Sequence, residues 1–163
     1  MTTSPIRSLA GLALVAVLVL AGCSSGGRTV AVTHGPVTLA YADLGTPGPS
    51  VGDTRSTTVA TQLEGSSTTG RLDAILSTTG EDVPGPGDEV RIGHLVFSFG
   101  SGSDQIVVDG SSVYPSASST IPASTSTIRP IVGGSGAYAG ATGWCESFHN
   151  ADGTWRHVFH LTN

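Results

Sequence analysis

The chain has 163 residues, only 12% of them charged, and carries a formal net charge of −5. It contains no lysine, and all seven cationic residues are arginines, which excludes Schiff-base chemistry and a phosphate-binding loop that depends on lysine. The acidic balance argues against a nucleic-acid partner, because affinity for a phosphate backbone comes from clustered Lys and Arg. A chain of this length predicts a single domain.

The N-terminal region has the pattern of a lipoprotein signal peptide. An uninterrupted apolar run over residues 9–22 fits the apolar region of such a peptide better than a transmembrane span. The run ends in Leu20-Ala21-Gly22-Cys23, which resembles the lipobox of bacterial lipoproteins. The resemblance implies removal of residues 1–22 and lipidation of Cys23 by a diacylglycerol with acyl chains such as palmitate. The chain would then be attached to the cell membrane, facing outside the cytoplasm. An ordinary secretory signal cleaved near Ala21 is the alternative.

The segment after the signal peptide predicts a flexible connection. Residues 23–36 begin with Gly and Ser, and they are interpreted as a lipidated tether and lead-in to the domain. If Cys23 is acylated, Cys145 has no partner in the chain. The sequence then predicts that Cys145 is a small buried apolar residue or a free thiol.

The rest of the chain predicts strands and no helix. Patterns with a period of 3.6 residues are missing, and Gly, Pro, Ser and Thr interrupt every long window. About eight β-rich runs, spaced roughly ten to fifteen residues apart, are typical of an antiparallel barrel or sandwich. These runs lie within residues 29–44, 52–65, 70–80, 90–100, 104–113, 127–134, 143–150 and 154–161.

Two other segments break the regular spacing of the predicted strands. Residues 111–127 are rich in Ser and Thr and predict a long exposed loop. Gly134 to Ala139 fits the glycine pattern of a dinucleotide-binding turn. That pattern needs a following helix and a second parallel strand, for which the remaining chain has no room. The glycines are therefore predicted to serve the backbone alone.

A family resemblance rests on this glycine segment. The stretch "PIVGGSGAYAGATG" at 130–143 resembles the Gly-Gly-x-Gly-x-aromatic-x-Gly-Ala-x-Gly segment of the allene oxide cyclase barrel-like and dirigent-like proteins. Weaker similarity in the same order extends over about residues 37–161. The resemblance implies an all-β domain over 37–163, an eight-stranded antiparallel β-barrel whose lumen holds an apolar molecule. It also implies that neither a cofactor nor a metal is used.

One departure from the family concerns the reaction. Plant cyclases of this family act on an epoxidised fatty acid and place a glutamate in the first strand region, while some bacterial relatives close polyketide rings. This chain has Tyr41 and Asp43 in that region but no glutamate. The allene oxide reaction itself is therefore not supported.

The last predicted hairpin contains the candidate acid–base pair. Asp152-Gly153 is a turn signal, and a loop of two or four residues would place Glu146 and His157 on one face. A carboxylate and an imidazole in an apolar lumen would have shifted pKa values and could move protons. The alternative is that both residues are solvated at the rim or satisfy each other structurally. A loop of odd length would break the shared face.

Several other residues could serve a functional site or have a plain structural role. His157 and His160 lie three apart on a predicted strand and so face opposite sides, which excludes chelation of one metal ion. Asp53 and Arg55 share a face, with pairing at the surface as the expected fate. The residues predicted to line the lumen are mostly aromatic: Tyr41, Phe97, Phe99, Tyr138, Trp144, Phe148, Trp155 and Phe159.

These observations predict a lipid-anchored protein outside the cytoplasm whose barrel binds an apolar small molecule or a lipid. The alternative is a cofactor-free isomerase or cyclase that acts on a hydrophobic substrate. Glu146 and His157 would be its catalytic residues.

Overall fold

The computed structural model describes residues 27–162. The predicted signal peptide and the predicted lipidation site at Cys23 lie outside the described residues. Within residues 27–162, no helix has the length and apolar character needed to cross a membrane. Cys145 is a buried free thiol, and burial raises the pKa of this thiol to about 12.

Nine strands and one short 3-10 helix, Gly136–Tyr138, make up the described chain. The strands are β1 (Arg28–His34), β2 (Ala40–Ala42), β3 (Thr54–Leu63), β4 (Thr69–Glu81), β5 (Glu89–Phe99), β6 (Asp104–Tyr114), β7 (Thr125–Ser135), β8 (Gly143–His149) and β9 (Trp155–Leu161).

The sheet closes on itself into a barrel. From β3 to β9 each strand pairs antiparallel with the next, and β1 pairs antiparallel with both β9 and β3. The short β2 pairs with the same edge of β3 as β1 does, at residues 54–56 of β3. The predicted all-β fold with eight antiparallel strands is confirmed. Closure leaves no long open edge for another chain to pair with.

Strand alternation sends every second side chain into the lumen. On β5, Leu95, Phe97 and Phe99 point inward in phase and are buried, as the sequence pattern of that strand predicted. Phe97 packs edge-on against Phe159 with ring centroids 4.8 Å apart. Phe99 packs against Tyr138 at the same centroid distance. These rings fill part of the lumen, and the free space lies elsewhere along it.

The hairpin between β8 and β9 differs from the prediction. Its connection covers residues 150–154, an odd number, and is closed by hydrogen bonds from Asn150 N to Thr154 O and from Gly153 N to Asn150 O. The pairing therefore sets Ser147 opposite His157 and Glu146 opposite Val158. The prediction that Glu146 and His157 share a face was wrong, because the loop length reverses the parity.

The glycine-rich segment between β7 and β8 has a backbone role. Gly136 has a φ of 57°, in the left-handed region that favours glycine. A Cβ at Gly134 would overlap the carbonyl oxygens of Tyr138 and Gln105. The segment turns directly from β7 into the 3-10 helix, and no βαβ unit follows it.

Candidate functional site

The lumen contains a partly open cavity of about 70 Å³. Its wall is mainly aliphatic because inward positions of β4 and β5 carry Leu72, Ala74, Leu76 and Leu95. Val37 and Leu39, in the connection between β1 and β2, border the same space. A space lined in this way favours an apolar ligand.

Aromatic rings border the lumenal cavity where β1 ends and β9 begins. Trp155 stacks on His149 with ring centroids 4.4 Å apart and an interplanar angle of 9°. The ring of His34 stacks on Trp155 at 6.2 Å. His34 and Trp155 line the cavity and are adjacent because β1 pairs with β9 at that position. The end of the lumen therefore offers flat, amphipathic surfaces to a ligand.

Two histidines share a hydrogen bond inside the lumen. The Nε2 atoms of His34 and His157 are 2.9 Å apart. His34 Nδ1 lies 2.6 Å from the carbonyl oxygen of Gly35, which can only accept, so His34 Nδ1 donates and its Nε2 accepts in the neutral tautomer. His157 Nε2 is then the donor to His34, and His157 Nδ1 accepts from the Ser147 hydroxyl at 2.8 Å.

Both imidazoles are held neutral at neutral pH. Burial lowers the pKa of His157 well below its usual value, and the neighbouring His34 and Arg129 lower it further. Burial also lowers the pKa of His34, against a smaller opposing effect of its bond to Gly35. A neutral imidazole could accept a proton from a ligand. In the ligand-free protein, however, both nitrogens of His157 are already engaged.

A buried ionic cluster occupies another part of the lumen. Glu89 accepts from Arg91 Nε at 2.9 Å and lies 3.4 Å from Arg55 Nη2. Thr78 Oγ1 accepts from Arg55 at 2.8 Å and donates to Glu89 at 3.1 Å. The Glu89 carboxylate is therefore shared between two guanidinium groups.

The connection between β6 and β7 holds this cluster from one side. Arg91 donates to the carbonyl oxygens of Ser116, Ala117 and Ser119, and Arg55 also donates to that of Ala117. The predicted loop over 111–127 is thus shorter, since β6 continues to Tyr114 and β7 begins at Thr125. Its carbonyl groups serve as acceptors for buried charges and are not simply exposed.

Asp53 and Arg55 are buried, so the expected pairing at the surface was wrong. Asp53 accepts from the Tyr41 hydroxyl at 2.5 Å and from the backbone N–H groups of Leu44 and Ser50. These hydrogen bonds, that of Tyr41 first, lower the pKa of Asp53 to about 2. The same bond raises the pKa of Tyr41 to about 12. Asp53 therefore ties β2 and the segment after it to the barrel.

The predicted site residues divide into two groups. Trp155 and His157 line the lumenal cavity, while Phe97, Phe99, Tyr138 and Phe159 belong to the core. Four others belong neither to the core nor to the cavity wall: Tyr41, Trp144, Glu146 and Phe148. The lumenal placement predicted for the last three was wrong because of the odd hairpin loop. Tyr41 is set opposite the buried Arg55, but its side chain is half exposed and does not line the lumenal cavity.

The outward residues have partners on the outer surface. Trp144 stacks on His160 with centroids 4.7 Å apart. Glu146 accepts from the Ser126 hydroxyl at 3.1 Å. Glu146 therefore has no contact with the lumenal cavity, and His157 is the one member of the predicted pair that lines it.

Among the lumenal residues that the sequence analysis missed are His34 and Arg129. His34 falls within the predicted lead-in, although it lies on the same strand face as the buried Val30 and Val32, two and four residues before it. Arg129 stands two residues before Ile131, so period-two alternation along β7 was the signal that could have placed it inward. Across the described residues, no three His, Cys, Asp or Glu side chains group in a way that could hold a metal ion.

The comparisons with known proteins concern the fold. Neither a protein-family model nor a curated protein sequence matches the chain. The solved structure of pyocyanin demethylase is similar at 20% identity, covering 83% of this chain and 99% of that chain with a TM-score of 0.59. A pterocarpan synthase dirigent protein is similar at 14% identity, covering 98% of each chain with a TM-score of 0.57. The chain thus has a barrel fold like that of dirigent proteins, as the glycine segment predicted.

Proposed function

We propose that this protein binds a small, mainly apolar molecule in the lumen of its barrel. The observation that carries the proposal is the lumenal cavity, which is lined by aliphatic side chains and bordered by the rings of His34 and Trp155. The similar fold of pyocyanin demethylase and of a pterocarpan synthase dirigent protein supports a role in binding or processing small molecules.

The size of the cavity limits what enters it. At about 70 Å³ it is smaller than the roughly 150 Å³ engineered cavity that accepts benzene. One end of a ligand therefore occupies the lumen, and the remainder lies at the opening against Val37, Leu39 and Trp155. A slender or planar molecule fits this arrangement better than a bulky one.

The second candidate function is a cofactor-free isomerase or cyclase. The observation that favours it is the neutral imidazole of His157 beside the aliphatic wall. A substrate atom would have to displace Ser147 or His34 from that ring before a proton could move. Simple binding needs no such displacement, and we therefore place it first.

Ligand capture tests the proposed function and separates the two candidates. Native mass spectrometry of protein purified from its own host is expected to show an added mass that is lost on denaturation. A compound that stays unchanged when incubated with the protein supports binding, whereas its conversion into an isomer of equal mass supports catalysis. Protein that carries no ligand, and takes up none from a lipid extract of the host, would contradict the proposal.

Membrane attachment through Cys23 is a further part of the proposal. The lipobox-like sequence before Cys23 supports it, and two acyl chains are enough for stable anchoring, whereas one binds only marginally. The Cys23→Ser variant is expected to lose all incorporation of labelled fatty acid in cells and to leave the membrane fraction. Incorporation that persists in this variant would show that Cys23 is not the anchor.

A further inference from the structure

Arg129 is a buried charge without an acidic partner. Its side chain is 3% exposed, and it lines the lumenal cavity. Its Nη2 donates to the Tyr114 hydroxyl oxygen at 3.0 Å, while its buried Nε has no hydrogen-bond partner. No ion pair joins it to a carboxylate within residues 27–162. Arginine stays charged in proteins, so this guanidinium cannot escape the cost of burial by losing a proton.

The charges around the lumen leave Arg129 uncompensated. The buried acids of the described chain are Asp53 and Glu89, and the buried arginines are Arg55, Arg91 and Arg129. Both acids act on Arg55, and Glu89 also binds Arg91. One positive charge is left over inside a protein whose net charge is −5. A buried charge is normally paired, and the missing partner is an anion.

Tyr114 supplies a second donor beside Arg129. Its hydroxyl oxygen accepts from Arg129, and no hydrogen bond described for residues 27–162 uses its hydroxyl hydrogen. Arg91 lies over its ring, 4.2 Å from the centroid, which fixes the ring in place. Tyr114 also lines the cavity. Two residues that line the same cavity, Arg129 and Tyr114, thus each carry a donor, Nε–H and O–H, that no described hydrogen bond uses.

The barrel wall is shaped to admit the guanidinium. A Cβ at Gly93 would lie 2.7 Å from Leu76 and 3.6 Å from Arg129 Nε. Glycine at this position on β5 thus leaves room for both side chains. Leu76 and Leu95, which also line the cavity, flank the site with apolar surface that strengthens an ionic hydrogen bond by excluding water.

We propose that Arg129 and Tyr114 bind an oxyanion of the lumenal ligand, such as a carboxylate or a phenolate, while its apolar part contacts the aliphatic wall. This inference rests on the proposed binding function and narrows its ligand to apolar molecules with one acidic oxygen group. The anion enters first, and the apolar part extends toward Trp155 and the opening.

A pair of matched probes tests the inference. Octanoate and octanol share one alkyl chain, and only octanoate carries an anion at neutral pH. Isothermal titration of ligand-stripped wild-type protein is expected to show octanoate binding about 10-fold to 100-fold more tightly, since a hydrogen bond to a charged group is worth that factor. The wild-type comparison needs no variant and so does not depend on how a mutation affects folding.

The variants assign the preference to particular side chains. Arg129→Met is expected to remove the preference for octanoate while leaving octanol binding within about 3-fold of wild type, because the stem keeps its apolar packing. Tyr114→Phe is expected to reduce the preference for octanoate over octanol only in part, because Arg129 remains. Arg71→Met removes an exposed arginine from the outer surface and is the matched control, with the preference unchanged.

The outcomes distinguish the inference from the function on which it rests. Equal binding of both probes, or a preference that survives in Arg129→Met, overturns the anion site and leaves the lumenal binding function standing. Binding of neither probe contradicts both. Tighter binding of octanoate that disappears in Arg129→Met and persists in Arg71→Met supports both.

Discussion

Replacing Glu89 by glutamine is expected to lower the free energy of unfolding by about 3–5 kcal/mol. The carboxylate lies 2.9 Å from Arg91 and 3.4 Å from Arg55, and all three side chains are almost fully buried. Glutamine keeps the shape but removes the charge shared by both guanidinium groups. Their desolvation then has to be offset mainly by the carbonyl groups of the β6–β7 connection.

Urea unfolding followed by circular dichroism measures this loss, and Glu64→Gln is the matched control. Glu64 forms a two-point ion pair with Arg156 at 2.6 and 2.9 Å, but both side chains are substantially exposed. Exposed pairs contribute about 1 kcal/mol or less. Losses of equal size in the two variants would contradict the account of the buried cluster.

Truncating Phe159 to alanine is expected to cost about 3–5 kcal/mol as well. Its ring is fully buried and packs edge-on against Phe97 at 4.8 Å and Phe99 at 6.3 Å. Because these rings come from strands on different sides of the closed barrel, neighbouring side chains cannot collapse into the space without moving the wall. The same urea titration measures the loss.

Phe148→Ala provides the control for this truncation. Phe148 lies on the outward face of β8 and is only half-buried, so its removal is expected to cost about 1 kcal/mol. This comparison also tests the face assignment of the hairpin. A larger loss from Phe148→Ala than from Phe159→Ala would show that the inward and outward faces are exchanged.

Local chemistry in the sequence was enough to predict antiparallel strands that form a barrel or a sandwich. Apolar residues alternate along β5 as Leu95, Phe97 and Phe99, and turn residues separate the runs at regular intervals. These signals are local, and each strand repeats them. The glycine segment at 130–143 added the resemblance that implied an eight-stranded barrel, and the structure confirms this fold.

The site was harder to predict because it depends on register between distant strands. One extra residue in the loop 150–154 exchanges the two faces of β8, which sent Glu146 outward and brought Ser147 inward. Arg129 and Tyr114 meet because their strands pair, and a short stretch of sequence does not reveal that pairing. The burial of Asp53 likewise depends on Tyr41 from the separate strand β2.

Blocking the lumen tests the central claim most directly. Ala74 lines the lumenal cavity, whereas Ala60 faces outward on the adjacent strand and is exposed. Ala74→Leu and Ala60→Leu therefore add the same atoms inside and outside the barrel. Once thermal unfolding has shown that both variants are folded, native mass spectrometry of protein from the same host measures their bound ligand. The account predicts that the ligand is lost from Ala74→Leu and retained by Ala60→Leu. Equal retention in both variants would contradict a binding site in the lumen.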